Sequence, residues 1–348
     1  MIVSKRDTPV VHTPEESGAG NGSRAARIVR DEEKVSAAGA ARRARPTYLV
    51  AWVCLLIVWV VWGSTYLAIK VGVQTMPPLL MAAARNLVAG LAMFPLALRS
   101  RRARARADGT AGRAWPTRAE WLGCAIVGIL LLVANGVVGV GEKTVPSGLA
   151  ALLVATVPLW LLGLDAALNH ARLGLAPLAG LALGLAGVAL LSGLGGTGGI
   201  SIVGVLIILG AAAMWALGTI MAGRVTLPSS PALASGMQLL CGGAALLVLA
   251  AGTGEFSSFR LAQVSARSWL ALAYLIVVGS IVAFSAYGIA VRSLPTATVA
   301  TYAYVNPVIA VLLGTLILNE RLTPAMIGGG VLIVGAVVLV LRRSPPAH

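Results

Sequence analysis

The residues of this chain able to do chemistry are the few polar ones set inside long apolar stretches. Thr298, Tyr302 and Asn306 stand at i, i+4 and i+8, a spacing that lines one face of a helix and sets Asn306 beside Pro307. The pattern predicts one wall of a polar cavity, or else a hydrogen bond from Asn306 to a neighbouring helix. Proline has no amide donor, so Pro307 frees the carbonyl four residues back for a substrate or polar neighbour, and Pro158 gives an earlier stretch the same break. Trp59, Trp62 and Tyr66, with Gly63 and Ser64 between them, make an aromatic row that is either a substrate wall or ordinary packing. Trp215 occupies the corresponding place later in the chain.

Charges inside a bilayer cost at least about 2.5 kcal/mol each, so those within apolar stretches call for a reason. Arg85 could clamp a substrate carboxylate with its planar fork of donors, or tie helices together through main-chain carbonyls; Gln238 is its counterpart further on. Asn135 and Glu142 share a helix face. A carboxylate at a half-buried helix end can exchange protons or act in gating, and it can equally pair with Lys143 or Lys70. Glu320 is expected to cap the last helix or bridge Arg321, and Asp165 to pair with Arg172. His170 reads as a loop residue that forms no ligand cluster with His12 or His348, so no metal site is expected. The run GLGGTGG at 193–199 lacks the strand-to-helix setting of a phosphate cradle and reads as a linker.

The elements that must position these residues follow from bilayer thickness. About 20 mostly apolar residues span the hydrocarbon as a helix, and lipid leaves no other way to satisfy the backbone. Candidate spans run over 48–70, 78–98, 119–140, 146–168, 175–192, 202–222, 231–251, 268–290, 296–318 and 324–341. The 348-residue chain is 58% hydrophobic and 11% charged, against roughly 25% charge in soluble domains, which excludes a water-soluble globule. Its +15 net charge is concentrated beside the spans, with seven Arg against one Asp over 99–118. Lys and Arg are retained on the cytoplasmic side, which places both termini there. With no nucleic-acid-binding motif present, the basic excess sets orientation and nucleic acid is not an expected partner. Cys54, Cys124 and Cys241 sit in apolar runs and read as small buried hydrophobes.

An internal repeat converts ten helices into two sets of five. A shift of 149 residues aligns Gly139 with Gly288, Pro146 with Pro295, Pro158 with Pro307, Arg172 with Arg321 and Gly180 with Gly329. A shift of 153 aligns Trp62 with Trp215, Pro78 with Pro231, Leu87 with Leu240 and Gly90 with Gly243. Five being odd, the second unit crosses with opposite polarity, a recurrent device of secondary transporters. The expected organisation is a disordered cytoplasmic tail over 1–46, a first repeat over 47–192, a linker over 193–201, a second repeat over 202–343 and a cytoplasmic tail over 344–348.

Three stretches carry a family resemblance: WGSTYLAIKVGVQTMPPLLMAAARNLVAG at 62–90, GEKTVPSGLAALLVATVPL at 141–159 and ATVATYAYVNPVIAVLLGTLILNERL at 297–322. Over about 48–341 the chain resembles the EamA-type transporters of the drug/metabolite transporter superfamily, and within it the YedA-like subgroup. The resemblance implies an all-α inner-membrane carrier of ten helices in two inverted repeats, exporting small organic metabolites such as amino acids or drug-like compounds. The chain departs from it at Ala171-Arg172, where a Glu-Arg pair often closes the fourth helix, and at Asp165. The expected partners are a small-molecule substrate, the lipid bilayer and either protons or a counter-substrate, and the architecture admits a homodimer. No cofactor is expected, because no nucleotide-binding motif occurs. Neither a nucleophile with its base, nor paired aspartates, nor a metal motif lies in the spans, which disfavours an intramembrane enzyme; a structural or sensor protein without flux is the other alternative.

Overall fold

Apolar runs of bilayer length become helices here, with Pro or a hydroxyl cap at starts such as Pro78, Thr117 and Ser201. A computed structural model describes residues 48–107, 115–170, 175–191, 201–294, 296–299 and 301–343. The tails expected over 1–46 and 344–348, and all but Ser201 of the linker expected over 193–201, lie outside the described residues. The helices are α1 (Tyr48–Gly72), α2 (Pro78–Ala107), α3 (Arg118–Glu142), α4 (Ser147–Val154), α5 (Val157–Leu168), α6 (Leu175–Leu191), α7 (Ile202–Ala222) and α8 (Pro231–Gly252). They continue as α9 (Glu255–Ser258), α10 (Ala266–Tyr274), α11 (Ala283–Ser293), α12 (Thr296–Val299), α13 (Tyr302–Leu318) and α14 (Pro324–Arg343). A π-helical segment, Leu275–Val282, joins α10 to α11, and no strand occurs among the described residues. Seven helical stretches there are long and apolar enough to cross a membrane, and three shorter apolar helices accompany them, Leu178–Leu190, Val305–Leu318 and Pro324–Leu339.

Two stretches expected as single spans are interrupted. Between α4 and α5 the chain turns at Ala155 and Thr156, where the Thr156 hydroxyl donates to Leu153 O at 2.6 Å and Pro158 enters the first turn of α5. The expected helix over 296–318 is interrupted at Thr301, a turn residue just before the helix that starts at Tyr302. There Thr301 gives both its amide (3.2 Å) and its hydroxyl (2.5 Å) to Thr298 O, a local side-chain bond that competes with helical pairing.

Helices in lipid gain little from hydrophobicity towards one another, so association depends on close contact at small residues. α2 packs along α8, α3 along α7 and α8, α4 along α13 and α6 along α14. At the α2–α8 crossing the contacts are reciprocal. A Cβ on Gly90 would meet Leu240 Cγ at 2.9 Å, and a Cβ on Gly243 would meet Leu87 Cγ at 2.9 Å. These four residues are among those matched by the 153-residue shift. Residue i touching the mate of j while j touches the mate of i is the mark of a two-fold relation. Next to it, Gly128 and Gly242 let α3 and α8 touch backbone to side chain, since a Cβ on Gly242 would fall 2.5 Å from both Gly128 O and Leu132 Cβ.

Candidate functional site

The packing leaves a cavity of about 260 Å³ at the centre of the bundle, lined by α1, α2, α3, α4, α5, α7, α11 and α13. Trp62 and Tyr66 reach it from α1, Arg85 from α2, Asn135 from α3, Pro158 from α5, Trp215 from α7, and Tyr302, Asn306 and Pro307 from α13. Residues from widely separated stretches thus converge on one space.

Its polar side is built around Arg85, which is 7% exposed. Nε donates to Ser280 Oγ at 2.9 Å and Nη1 to Asn135 Oδ1 at 3.2 Å. Ser280, fully buried, lies in the π-helical segment. Such segments widen a helix locally and recur at functional sites. No spacing rule points to a π segment, and Ser280 escaped the sequence reading for that reason. Asn306, with its amide nitrogen turned to the two carbonyls, donates to Trp59 O at 3.2 Å and Tyr302 O at 3.1 Å. It therefore ties α13 to α1 while lining the cavity. Pro307 and Pro158 cannot donate to the carbonyls of Ala303 and Val154, both cavity-lining residues.

The apolar side is aromatic. Trp62 meets Phe284 at 5.6 Å, Tyr287 at 5.1 Å and Tyr302 at 5.2 Å between ring centroids, edge-on to Phe284 and Tyr302, the arrangement that ring quadrupoles favour. Phe284 lines the cavity as well.

The remaining expected residues lie elsewhere. Trp59 packs with the α1–α11 core, its indole N–H buried without a partner among the described residues. Ser64 turns to Tyr274, hydroxyl to hydroxyl at 2.5 Å. The backbone of Gln238 passes against Gly128 at the α3–α8 contact. Thr298 is separated from Tyr302 and Asn306 by the helix break, so the expected three-residue stripe reduces to two at the cavity. Glu142 lies outside the cavity lining, fully buried, with neither carboxyl oxygen hydrogen-bonded among the described residues. Lys70 Nζ donates to main-chain Glu142 O and to Val145 O (2.9 Å). Lys70 thus binds the turn after α3 instead of pairing at the surface.

Glu320 caps α4 in place of the last helix. Its Oε1 accepts from Ser147 N (2.7 Å) and Ser147 Oγ (2.9 Å), and its Oε2 from Gly148 N (3.1 Å). These are amides that a helix start leaves unpaired, where a negative charge is favoured. Glu255 does the same for α2, accepting from Leu79 N (3.3 Å) and Leu80 N (2.9 Å). Asp165 faces Arg224 at 4.0 Å and accepts from Asn169 at 2.8 Å; Arg172, its expected partner, lies outside the described residues.

A multi-helical membrane body with a central cavity that joins a buried cation to an aromatic wall defines the class: a membrane transport protein. The EamA-like transporter family matches residues 49–193 and again 202–342, and the chain belongs to that family. It is 38% identical over 292 residues to an Escherichia coli (strain K12) protein described as the uncharacterized inner membrane transporter YedA, covering 83% of this chain and 90% of that one. It is 31% identical to the uncharacterized transporter YvbV of Bacillus subtilis (strain 168), over 82% and 89% of the two chains. A further Escherichia coli (strain K12) relative, 29% identical over 81% of this chain and 91% of its own, is described as a "probable amino-acid metabolite efflux pump". A solved crystal structure, 22% identical, superposes with a TM-score of 0.52 over 85% of this chain and 96% of the other, and shows the same fold. The protein is therefore a multi-pass inner membrane transporter of the drug/metabolite transporter type, with the bilayer and a small molecule as its partners, and not an enzyme.

Proposed function

We propose that the protein is a secondary transporter that exports small organic metabolites of about amino-acid size by alternating access through the central cavity. The observation that carries this reading is the convergence of Trp62, Tyr66, Arg85 and Asn135 with Trp215, Tyr302 and Asn306, from both family-matched segments, on one space. Its 260 Å³ falls just below the roughly 300–1,000 Å³ of pockets for drug-sized ligands, which favours metabolites. Counting the three shorter apolar helices as spans gives ten, five in each segment, in inverted repeats. The basic residues then place both termini in the cytoplasm and the α3–α4 turn outside.

In that orientation the outer end is held shut across the two segments. Glu320 clasps Ser147 and Gly148, Glu255 clasps Leu79 and Leu80, and Thr75 donates to Ser268 at 2.7 Å. The opposite end carries the more exposed contact of Arg224 with Asn169, at 2.8 Å. Exchange of these two sets of contacts is the conformational step, and Glu142, beneath the outer clasp, is the group that exchanges protons. Relatives described as efflux pumps support outward movement.

The test is counterflow in proteoliposomes loaded with amino acid and carboxylate mixtures, comparing the full chain with Asn306→Ala. Movement by the first and its loss in a normally inserted second is expected. A purified, folded protein that moves nothing, with or without a pH gradient, refutes the reading and favours a structural or sensor role.

A further inference from the structure

We infer that the cavity selects its cargo by charge, taking compact monocarboxylates with an uncharged, apolar or aromatic body in preference to zwitterions of the same size, with Arg85 Nη2 as the anchoring donor. The inference rests on the reading of this cavity as the transport site.

Arg85 is a permanent cation held in the cavity wall at 7% exposure. Both acceptors that it engages, Ser280 Oγ and Asn135 Oδ1, are neutral. The ion pairs among the described residues, Arg101 with Glu120 and Arg224 with Asp165, do not involve it. Among the described residues no Asp, Glu, Lys or His lines the cavity, so the single formal charge that they bring to it, that of Arg85, is positive. Nε and Nη1 are committed to Ser280 and Asn135, while Nη2 makes no hydrogen bond to the described residues. Beside it is Gly279, whose added Cβ would stand 3.7 Å from Nη2. The guanidinium is thus held through Nε and Nη1, and Nη2 is left as an open donor.

A buried cation without a counter-ion is costly, and a partner anion relieves that cost most when water is excluded. A monocarboxylate brings the cavity to neutrality and leaves its body for the wall of Trp62, Phe284 and Tyr302. An amino acid supplies the same carboxylate but adds an ammonium within the same 260 Å³, where no lining carboxylate receives it and the guanidinium repels it. Ser280 acts here as a positioning residue, since it fixes the Nε edge and so the direction of Nη2.

The experiment uses the full chain in nanodiscs at pH 7, with binding read from quenching of tryptophan fluorescence, since Trp62 and Trp215 line the cavity, and from thermal stabilisation. The probes share one skeleton: 3-phenylpropionate, phenylalanine and 3-phenylpropanamide. Expected is binding of 3-phenylpropionate about ten- to a hundredfold tighter than of the other two, the range that a hydrogen bond to a buried charged group supplies. The preference should fall to within about threefold in Arg85→Gln, which removes the charge. Ser280→Ala, a milder change, should narrow the same ratio several-fold without loss of folded protein. Should Arg85→Gln fail to fold, the Ser280→Ala ratio decides. Phenylalanine binding as tightly as 3-phenylpropionate, or a preference unmoved in the folded variants, overturns charge selection and leaves the transport reading standing. Failure of every probe to bind, together with failure of the counterflow mixtures, overturns both.

Discussion

Replacing Glu320 with Ala should open the outer end of the cavity. The wild-type carboxylate accepts three hydrogen bonds, from Ser147 N at 2.7 Å, Ser147 Oγ at 2.9 Å and Gly148 N at 3.1 Å. Ser147 is fully buried, so in the closed conformation its amide and hydroxyl would lose their acceptor without gaining water. A buried group left unsatisfied costs about 1–3 kcal/mol. Glu320 is itself only half-buried, so a single such penalty is the appropriate magnitude. The closed-to-open ratio should then shift by about 5- to 150-fold. The assay introduces a reporter at Val138, which lines the cavity one turn before Glu142, as Val138→Cys in a background without Cys54, Cys124 and Cys241. A membrane-impermeant maleimide is then applied from the periplasmic side. Faster labelling in Glu320→Ala is expected, with Glu320→Gln intermediate because it retains one acceptor oxygen. An unchanged labelling rate in folded Glu320→Ala would refute the idea that this clasp holds the outer end shut.

Asn306→Ala removes the amide that joins α13 to α1 through Tyr302 O and Trp59 O. A loss of about 2 kcal/mol, one for each hydrogen bond, should appear as a lowered melting temperature, alongside lost counterflow at normal membrane levels. Glu142→Gln keeps the shape of a fully buried side chain but removes its exchangeable proton; counterflow should persist, while the response of transport to an imposed pH gradient disappears. Gly242→Val should reduce the monodisperse yield in detergent, since a Cβ there falls 2.5 Å from Gly128 O and Leu132 Cβ and overpacking costs about 1–3 kcal/mol. Gly252→Ala, whose Cβ has nothing within 4 Å, is the neutral control.

Much of the polar cavity lining was legible because a polar residue in hydrocarbon needs a reason to be there, which holds for Arg85, Asn135, Tyr302 and Asn306. Paired Pro158 and Pro307 were legible because proline removes a donor wherever it stands. Thr298 misled because helical spacing holds only while the helix is continuous, and the Thr301 hydroxyl ends it. Gln238 misled because correspondence between repeats gives equivalent places, not equivalent surroundings; its backbone was needed at the Gly128 crossing.

By itself the sequence determined where the helices lie, since bilayer thickness and the cost of unpaired backbone leave a long apolar run no other structure. It also determined the repeat, because residues at crossings must recur for a two-fold contact such as Gly90–Leu240 and Gly243–Leu87 to form. Only the tertiary structure decided which distant groups meet. Glu320 could serve any exposed helix start, and close packing gave it Ser147 and Gly148. Arg85 could have paired with a carboxylate, and the π-helical segment supplied the neutral Ser280, leaving the cavity positively charged. Such meetings depend on crossing geometry at small residues, which local spacing does not encode.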